Sequence, residues 1–79
     1  MGERPLSSLT AGQAGRVDRI EPSPARLRLL EMGLVRGASV EFIRSAPLGD
    51  PIEVRVRAYN LSLRRAEAES IIIVLEPSG

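Results

Sequence analysis

Val40-Glu41-Phe42-Ile43-Arg44-Ser45-Ala46-Pro47-Leu48-Gly49-Asp50-Pro51-Ile52-Glu53-Val54-Arg55-Val56-Arg57 is the stretch whose reading decides the fold. Val40, Phe42 and Arg44 alternate with Glu41, Ile43 and Ser45. Beyond the break, Ile52, Val54 and Val56 alternate with Glu53, Arg55 and Arg57. A period of two with apolar residues on one side marks a half-buried strand. Pro47 and Pro51 fix their own φ in the connection, and Gly49 takes a positive φ without steric cost. Centring the turn on Leu48 sets Phe42 opposite Val54, Val40 opposite Val56 and Glu41 opposite Arg55. That register stacks apolar on apolar inside and pairs opposite charges outside.

Toward the N-terminus, Val35-Arg36-Gly37-Ala38 is a turn leading into this hairpin. The best helix signal precedes it. Ser23 is the predicted N-cap and Pro24 the first helical residue; the helix runs to about Met32, where Gly33 closes it as a left-handed cap. Leu34 then folds back on Leu29. At ~100° per residue, Leu27 and Leu30 share one side, with Ala25, Leu29 and Met32 roughly opposite. A helix lying on a sheet needs a single apolar stripe. Leu27 and Leu30 are assigned to the core. The second stripe is partly explained by the cap contact, and its remainder is either a second wall of the core or a binding surface.

Arg16–Ile20 is the predicted first strand. Val17 and Ile20 fall on opposite faces, so it carries a bulge or ends early. Gly12 and Gly15 read as turn glycines. A phosphate cradle would need a following Gly-Lys-Ser/Thr and a strand-to-helix context, and neither is present. Leu6-Ser7-Ser8-Leu9 is a single turn tucking two leucines inward, and residues 1–5 read as a frayed tail.

Toward the C-terminus, Ala58-Tyr59-Asn60 is a tight turn with Asn60 tolerant of positive φ. Leu61 and Leu63 mark a short strand. Arg64–Ser70 suits a short helical turn, because Glu placed after Arg is the weaker order for helix pairs. The β-branched run Ile71–Leu75 is predicted to be the most buried strand, and residues 76–79 a second tail. Five short strands result, with one helix between the first two and a helical turn before the last. They favour a small all-β closed barrel, which leaves no sheet edge.

With 79 residues there is room for one domain and one core. Cysteine and histidine are both absent, which excludes disulfides and the usual transition-metal sites. Only carboxylates such as Asp18, Glu21 or Asp50 remain as side-chain ligands, so no tight transition-metal site and no cofactor are expected. All 11 basic residues are Arg, against 10 acidic ones, for a net charge of +1. Nucleic-acid binders present a basic face with aromatic stacking platforms. Here the charges are interspersed and Phe42 and Tyr59 are the sole aromatics, so nucleic acid is not the expected partner. No apolar run approaches the ~20 residues of a membrane span, and no signal peptide is legible, which reads as a cytoplasmic domain.

Four motifs together resemble the FeoA family of ferrous iron transport. They are Leu9 with Gly12; Leu30-Glu31-Met32-Gly33-Leu34-Val35-Arg36-Gly37; Ala46-Pro47-Leu48-Gly49-Asp50-Pro51-Ile52; and Leu61-Ser62-Leu63-Arg64-Arg65 followed by Glu67-Ala68. The Ala-Pro-Leu-Gly-Asp-Pro turn is the most specific of them, and the resemblance spans about Leu6 to Leu75. It implies an SH3-like five-stranded β-barrel, a single domain over residues 1–79, and a cytoplasmic role as accessory to the membrane transporter FeoB. The same domain occurs at the end of some metal-dependent repressors; the stand-alone form is the better match.

Three functions follow for comparison. The first is a non-catalytic module that binds and modulates a FeoB-like transporter through its cytoplasmic region, with Leu29, Met32, Leu34, Pro47 and Leu48 as the candidate contact patch. The second is a small barrel that binds nucleic acid, which the near-neutral charge disfavours. The third is an enzyme using Asp50 and Glu53 as an acid/base pair; the simpler reading is that Asp50 caps the turn and Glu53 faces solvent.

Overall fold

The computed structural model describes residues 2–76. In chain order it runs β1 (Glu3–Pro5), a 3-10 turn (Leu6–Ser8), β2 (Ala14–Ile20), α1 (Arg26–Glu31), β3 (Ser39–Ser45), β4 (Ile52–Val56), β5 (Tyr59–Leu63), α2 (Arg65–Glu69) and β6 (Ile71–Leu75). Among the described residues the strands form one six-stranded antiparallel sheet in the order β1-β6-β2-β3-β4-β5. The sheet curls around an aliphatic core to which every strand except β1 contributes a buried side chain.

The hairpin adopts the register read from its alternation: Val40↔Val56, Glu41↔Arg55 and Phe42↔Val54. A shift between Phe42 and Arg44 then brings Arg44 opposite Glu53, where the pair forms a 2.7 Å salt bridge. Ile52, Val54 and Val56 are fully buried. In β2 the register shifts between Val17 and Arg19. The bulge at Asp18 moves the strand by one phase, so Val17 and Ile20 both face the core.

Two strand expectations need correction. Residues 3–5 are not a frayed tail: they pair with Ile72–Val74 as β1, which raises the strand number from five to six. Edges β1 and β5 do not pair with each other, so hydrogen bonds do not close the sheet. The 3-10 turn and α2 pack together across that gap, with Leu6 and Ala68 fully buried. Of the tail expected at residues 76–79, residues 77–79 lie outside the described residues, and Glu76 is tied down: it donates its N–H to Ala14 O at 2.9 Å. β6 lies between β1 and β2 and has no exposed position.

The last hairpin turns at Arg57-Ala58, not at Ala58-Tyr59-Asn60. Arg57 takes the positive φ of 57°. Asn60 sits within β5, where its side-chain amide donates to Glu53 Oε2 at 2.8 Å. Gly15 also has a different role from the one expected. It lies in β2, where an added Cβ would stand 2.5 Å from the Val74 carbonyl oxygen. The position therefore demands glycine because β6 approaches closely, and not because the chain turns there.

Candidate docking surface

Two pieces of the surface carry the residues singled out from the sequence: the turn between β3 and β4, and the C-terminal end of α1. The Ala46–Pro51 turn is closed on itself by the Gly49 N–H donating to Ala46 O at 2.7 Å and the Ala46 N–H donating to Pro51 O at 2.9 Å. Gly49 holds φ at +92°, a backbone state that β-branched and bulky residues resist. From outside, Arg65 braces the turn. Its Nε donates to Gly49 O at 2.8 Å, its Nη1 to Ser7 O at 2.7 Å, and its backbone N–H to Asp50 Oδ1 at 3.0 Å.

The last of these bonds explains how α2 begins. Glu67 accepts the Arg64 N–H at 2.9 Å, which is half of a capping box. An Arg side chain has no acceptor to complete the box. Asp50, reaching over from the turn, supplies an acceptor to the first helical residue instead. Asp50 and Glu53 therefore do not form an acid/base pair: one holds the Arg65 amide, and the other is engaged by Arg44 and Asn60.

Leu48 stands at the tip of this braced turn with 97% of its surface exposed, and Pro47 beside it is exposed too. A shallow groove of about 220 Å³ lies on one flank, lined in part by Ala46, Pro47, Pro51 and Ile52. A separate groove of about 440 Å³ lies between the 3-10 turn and the end of β3, lined in part by Ser7, Leu9, Phe42, Arg44 and Arg65.

At α1 the structure corrects the face assignment. Leu29 and Leu34 are fully buried, while Leu27 is 68% exposed. The cause is the helix cap. The Leu34 N–H donates to Leu29 O at 3.1 Å and the Gly33 N–H to Leu30 O at 3.0 Å, with Gly33 at φ +101°. This six-to-one and five-to-two pair folds Leu34 back onto Leu29, and the two leucines enter the core together. Leu29 and Leu34 therefore cannot contribute to a surface patch. Met32 is half-buried against the core; its carbonyl accepts from Tyr59 Oη at 3.3 Å and its Sδ contacts Arg28 Nη1 at 3.4 Å.

The helix is also shorter than expected. It begins at Arg26 with Ala25 as N-cap. Ser23 does not cap it: its carbonyl accepts the Arg26 N–H, and its Oγ is buried without a hydrogen-bond partner. The side-chain hydrogen bonds that brace the hairpin turn come from Arg65 at the start of α2, which also receives Arg28 of α1 through the Arg28–Glu67 ion pair. The five predicted contact residues are thus split into two buried leucines, a half-buried methionine and an exposed Pro47-Leu48 tip.

Exposed apolar side chains that the sequence reading did not place on the surface are Leu27, Val35 and Tyr59. The signal for Leu27 was its position opposite Leu29, once the cap fixes which stripe is inside.

The carboxylates do not converge on an empty space. Glu3, Glu21 and Asp18 surround Arg19, each within 2.8 Å, and hold its guanidinium more firmly charged. Among the described residues no group of three or more Asp or Glu side chains is placed to hold a metal ion. No helix among them is long and apolar enough to cross a membrane.

Comparison with known proteins points one way. The FeoA domain family model matches residues 4–75. A fusion of Fe²⁺ transport protein A with the Fe²⁺ transporter FeoB, from Porphyromonas gingivalis, is 41% identical over 75 residues; the match covers 94% of this chain and 9% of that relative. This chain thus spans about a tenth of the length of that relative. The solution structure of a FeoA-like protein from Clostridium acetobutylicum superposes with a TM-score of 0.90 at 32% identity, covering 100% of this chain and 93% of that one. The zinc complex of FeoA from Stenotrophomonas maltophilia, described as a prokaryotic SH3 domain protein, superposes with a TM-score of 0.79 at 27% identity, covering 89% and 88% of the two chains.

Proposed function

The chain belongs to the FeoA family of ferrous iron transport and has its SH3-like fold, and from that membership we propose that it is a non-catalytic cytoplasmic accessory that docks on the cytoplasmic region of a FeoB-type transporter and modulates it. The single observation that carries this reading is the relative in which a domain 41% identical to this chain is joined covalently to FeoB. Joining two modules in one chain converts their association into an intramolecular event, which favours pairs that act together even when each contact is weak.

The geometry agrees. Asp50 accepts the Arg65 amide and Glu53 is engaged by Arg44 and Asn60, so the carboxylates weighed as an acid/base pair are both tied into structural contacts. The site residues that remain exposed are Pro47 and Leu48, and apolar side chains presented at a surface suit protein contact.

Reconstituted transport tests the reading. FeoB in liposomes, with this protein present on the cytoplasmic side, is expected to change its rate of Fe²⁺ uptake saturably with protein concentration. An uptake rate that stays flat from none to a large molar excess refutes a modulating role.

A further inference from the structure

Leu48 is an almost fully exposed apolar side chain on a turn that the rest of the fold braces. Single exposed leucines are ordinary on protein surfaces and need no explanation by themselves. What sets this one apart is the bracing around it. The turn carries two internal hydrogen bonds, a glycine at φ +92°, and an arginine that reaches it from 16 residues away in sequence while also gripping Ser7. None of this buries Leu48, which stays 97% exposed. A turn whose backbone is held in this way loses little further freedom when its tip enters a partner, which is how preorganised loops gain affinity.

We propose that Leu48 is a preformed knob that inserts into an apolar pocket on the cytoplasmic region of the FeoB-type transporter, and that Arg65 is the positioning residue that holds it there. The occupant rests on the functional reading above, because the fused relative puts such a transporter within reach of this domain. Arg65 acts through the turn and not by touching the partner. Two of its guanidinium nitrogens, Nε and Nη1, span the Gly49 and Ser7 carbonyls, so the turn is fixed against the 3-10 turn and α2 at once. The shallow groove lined in part by Ala46, Pro47 and Pro51 leaves space beside the turn for a wall of the receiving pocket.

The test is a double-mutant cycle read by calorimetric titration of the full chain against the purified cytoplasmic region of FeoB from the same organism. Leu48→Ser removes the knob without touching the core, so its melting temperature should match the wild type while affinity falls at least tenfold. Arg65→Met frees the turn, and in the wild-type background it should also weaken binding. Added to Leu48→Ser it should cost nothing further, because a positioning residue has no effect once the group it positions is gone.

Affinity of Leu48→Ser within twofold of the wild type overturns the knob. An equal loss from Arg65→Met in both backgrounds overturns the positioning role. Sedimentation of each variant covers the other occupant: a wild-type oligomer that Leu48→Ser dissociates would assign the pocket to a second copy of this chain and refute the proposal. Binding by the wild type with undiminished binding by Leu48→Ser defeats this inference alone, whereas no binding by the wild type defeats the docking reading with it.

Discussion

Replacing Leu29 with Ala tests which face of α1 is structural. Leu29 is fully buried and lies under the cap that brings in Leu34, also fully buried. Truncation removes three carbons from a site lined by strands and the returning chain, which can collapse only partly. Such changes cost about 2–5 kcal/mol, and burial without any exposed atom puts this one near the middle, about 3 kcal/mol. At ~4–8 °C per kcal/mol for a domain of this size, the melting temperature should fall by ~12–24 °C. Against a total stability of about 4–12 kcal/mol for such a chain, that is a large fraction. Leu27→Ala is the matched control. Leu27 is 68% exposed, and surface changes usually stay within about 0.5 kcal/mol. Urea denaturation of both variants, followed by far-ultraviolet circular dichroism, gives the two midpoints side by side. A loss at Leu27 equal to or larger than that at Leu29 would show that the stripe facing the sheet has been assigned backwards.

Three further outcomes are expected. Gly49→Val places a β-branched residue at φ +92° and should destabilise the fold by about 1–3 kcal/mol; an unchanged denaturation midpoint would show a turn free to rearrange. In Gly15→Ala the new methyl would meet Val74 O at 2.5 Å and Ile73 Cδ1 at 3.0 Å, so β2 and β6 must part there at a cost of about 1–3 kcal/mol. Faster hydrogen exchange at the amides around Val74 checks this, and exchange as slow as in the wild type would contradict it. Arg57→Gly removes a side chain from a left-handed position, worth about 1–2 kcal/mol, less the ~0.5–1 kcal/mol that glycine loses in entropy. The midpoint should therefore rise slightly, and a fall would mean that the Arg57 side chain makes a contact of its own.

How much of this was readable in advance depends on the range of the interaction concerned. The β3–β4 register was legible because alternation and the turn both act within the hairpin, and centring the turn on Leu48 set Val40 opposite Val56 with apolar residues facing each other. The irregularity in β2 was legible, since Val17 and Ile20 fall on opposite faces of a regular strand, but alternation alone did not choose between a bulge and an early strand end. The inner stripe of α1 was not. A short helix with leucines on two sides has no phase of its own, and the deciding term is the bond from Leu34 back to Leu29. β1 left no signal either: Glu3-Arg4-Pro5 does not alternate, and it becomes a strand only because β6, the last element of the chain, lies beside it. Pro47 and Leu48 were identified as exposed from the turn alone, but their brace was hidden, since Arg65 and Ser7 lie 58 residues apart. Asp50 as a cap for α2 was hidden for the same reason.

Docking on FeoB is the claim on which the account rests, and equilibrium binding measures it most directly. The full chain, titrated into the isolated cytoplasmic region of FeoB from the same organism, with and without guanine and adenine nucleotides, should bind saturably with one site per transporter domain in at least one of those states. Heats indistinguishable from dilution in every state, with both proteins folded and at concentrations of hundreds of micromolar, would contradict it.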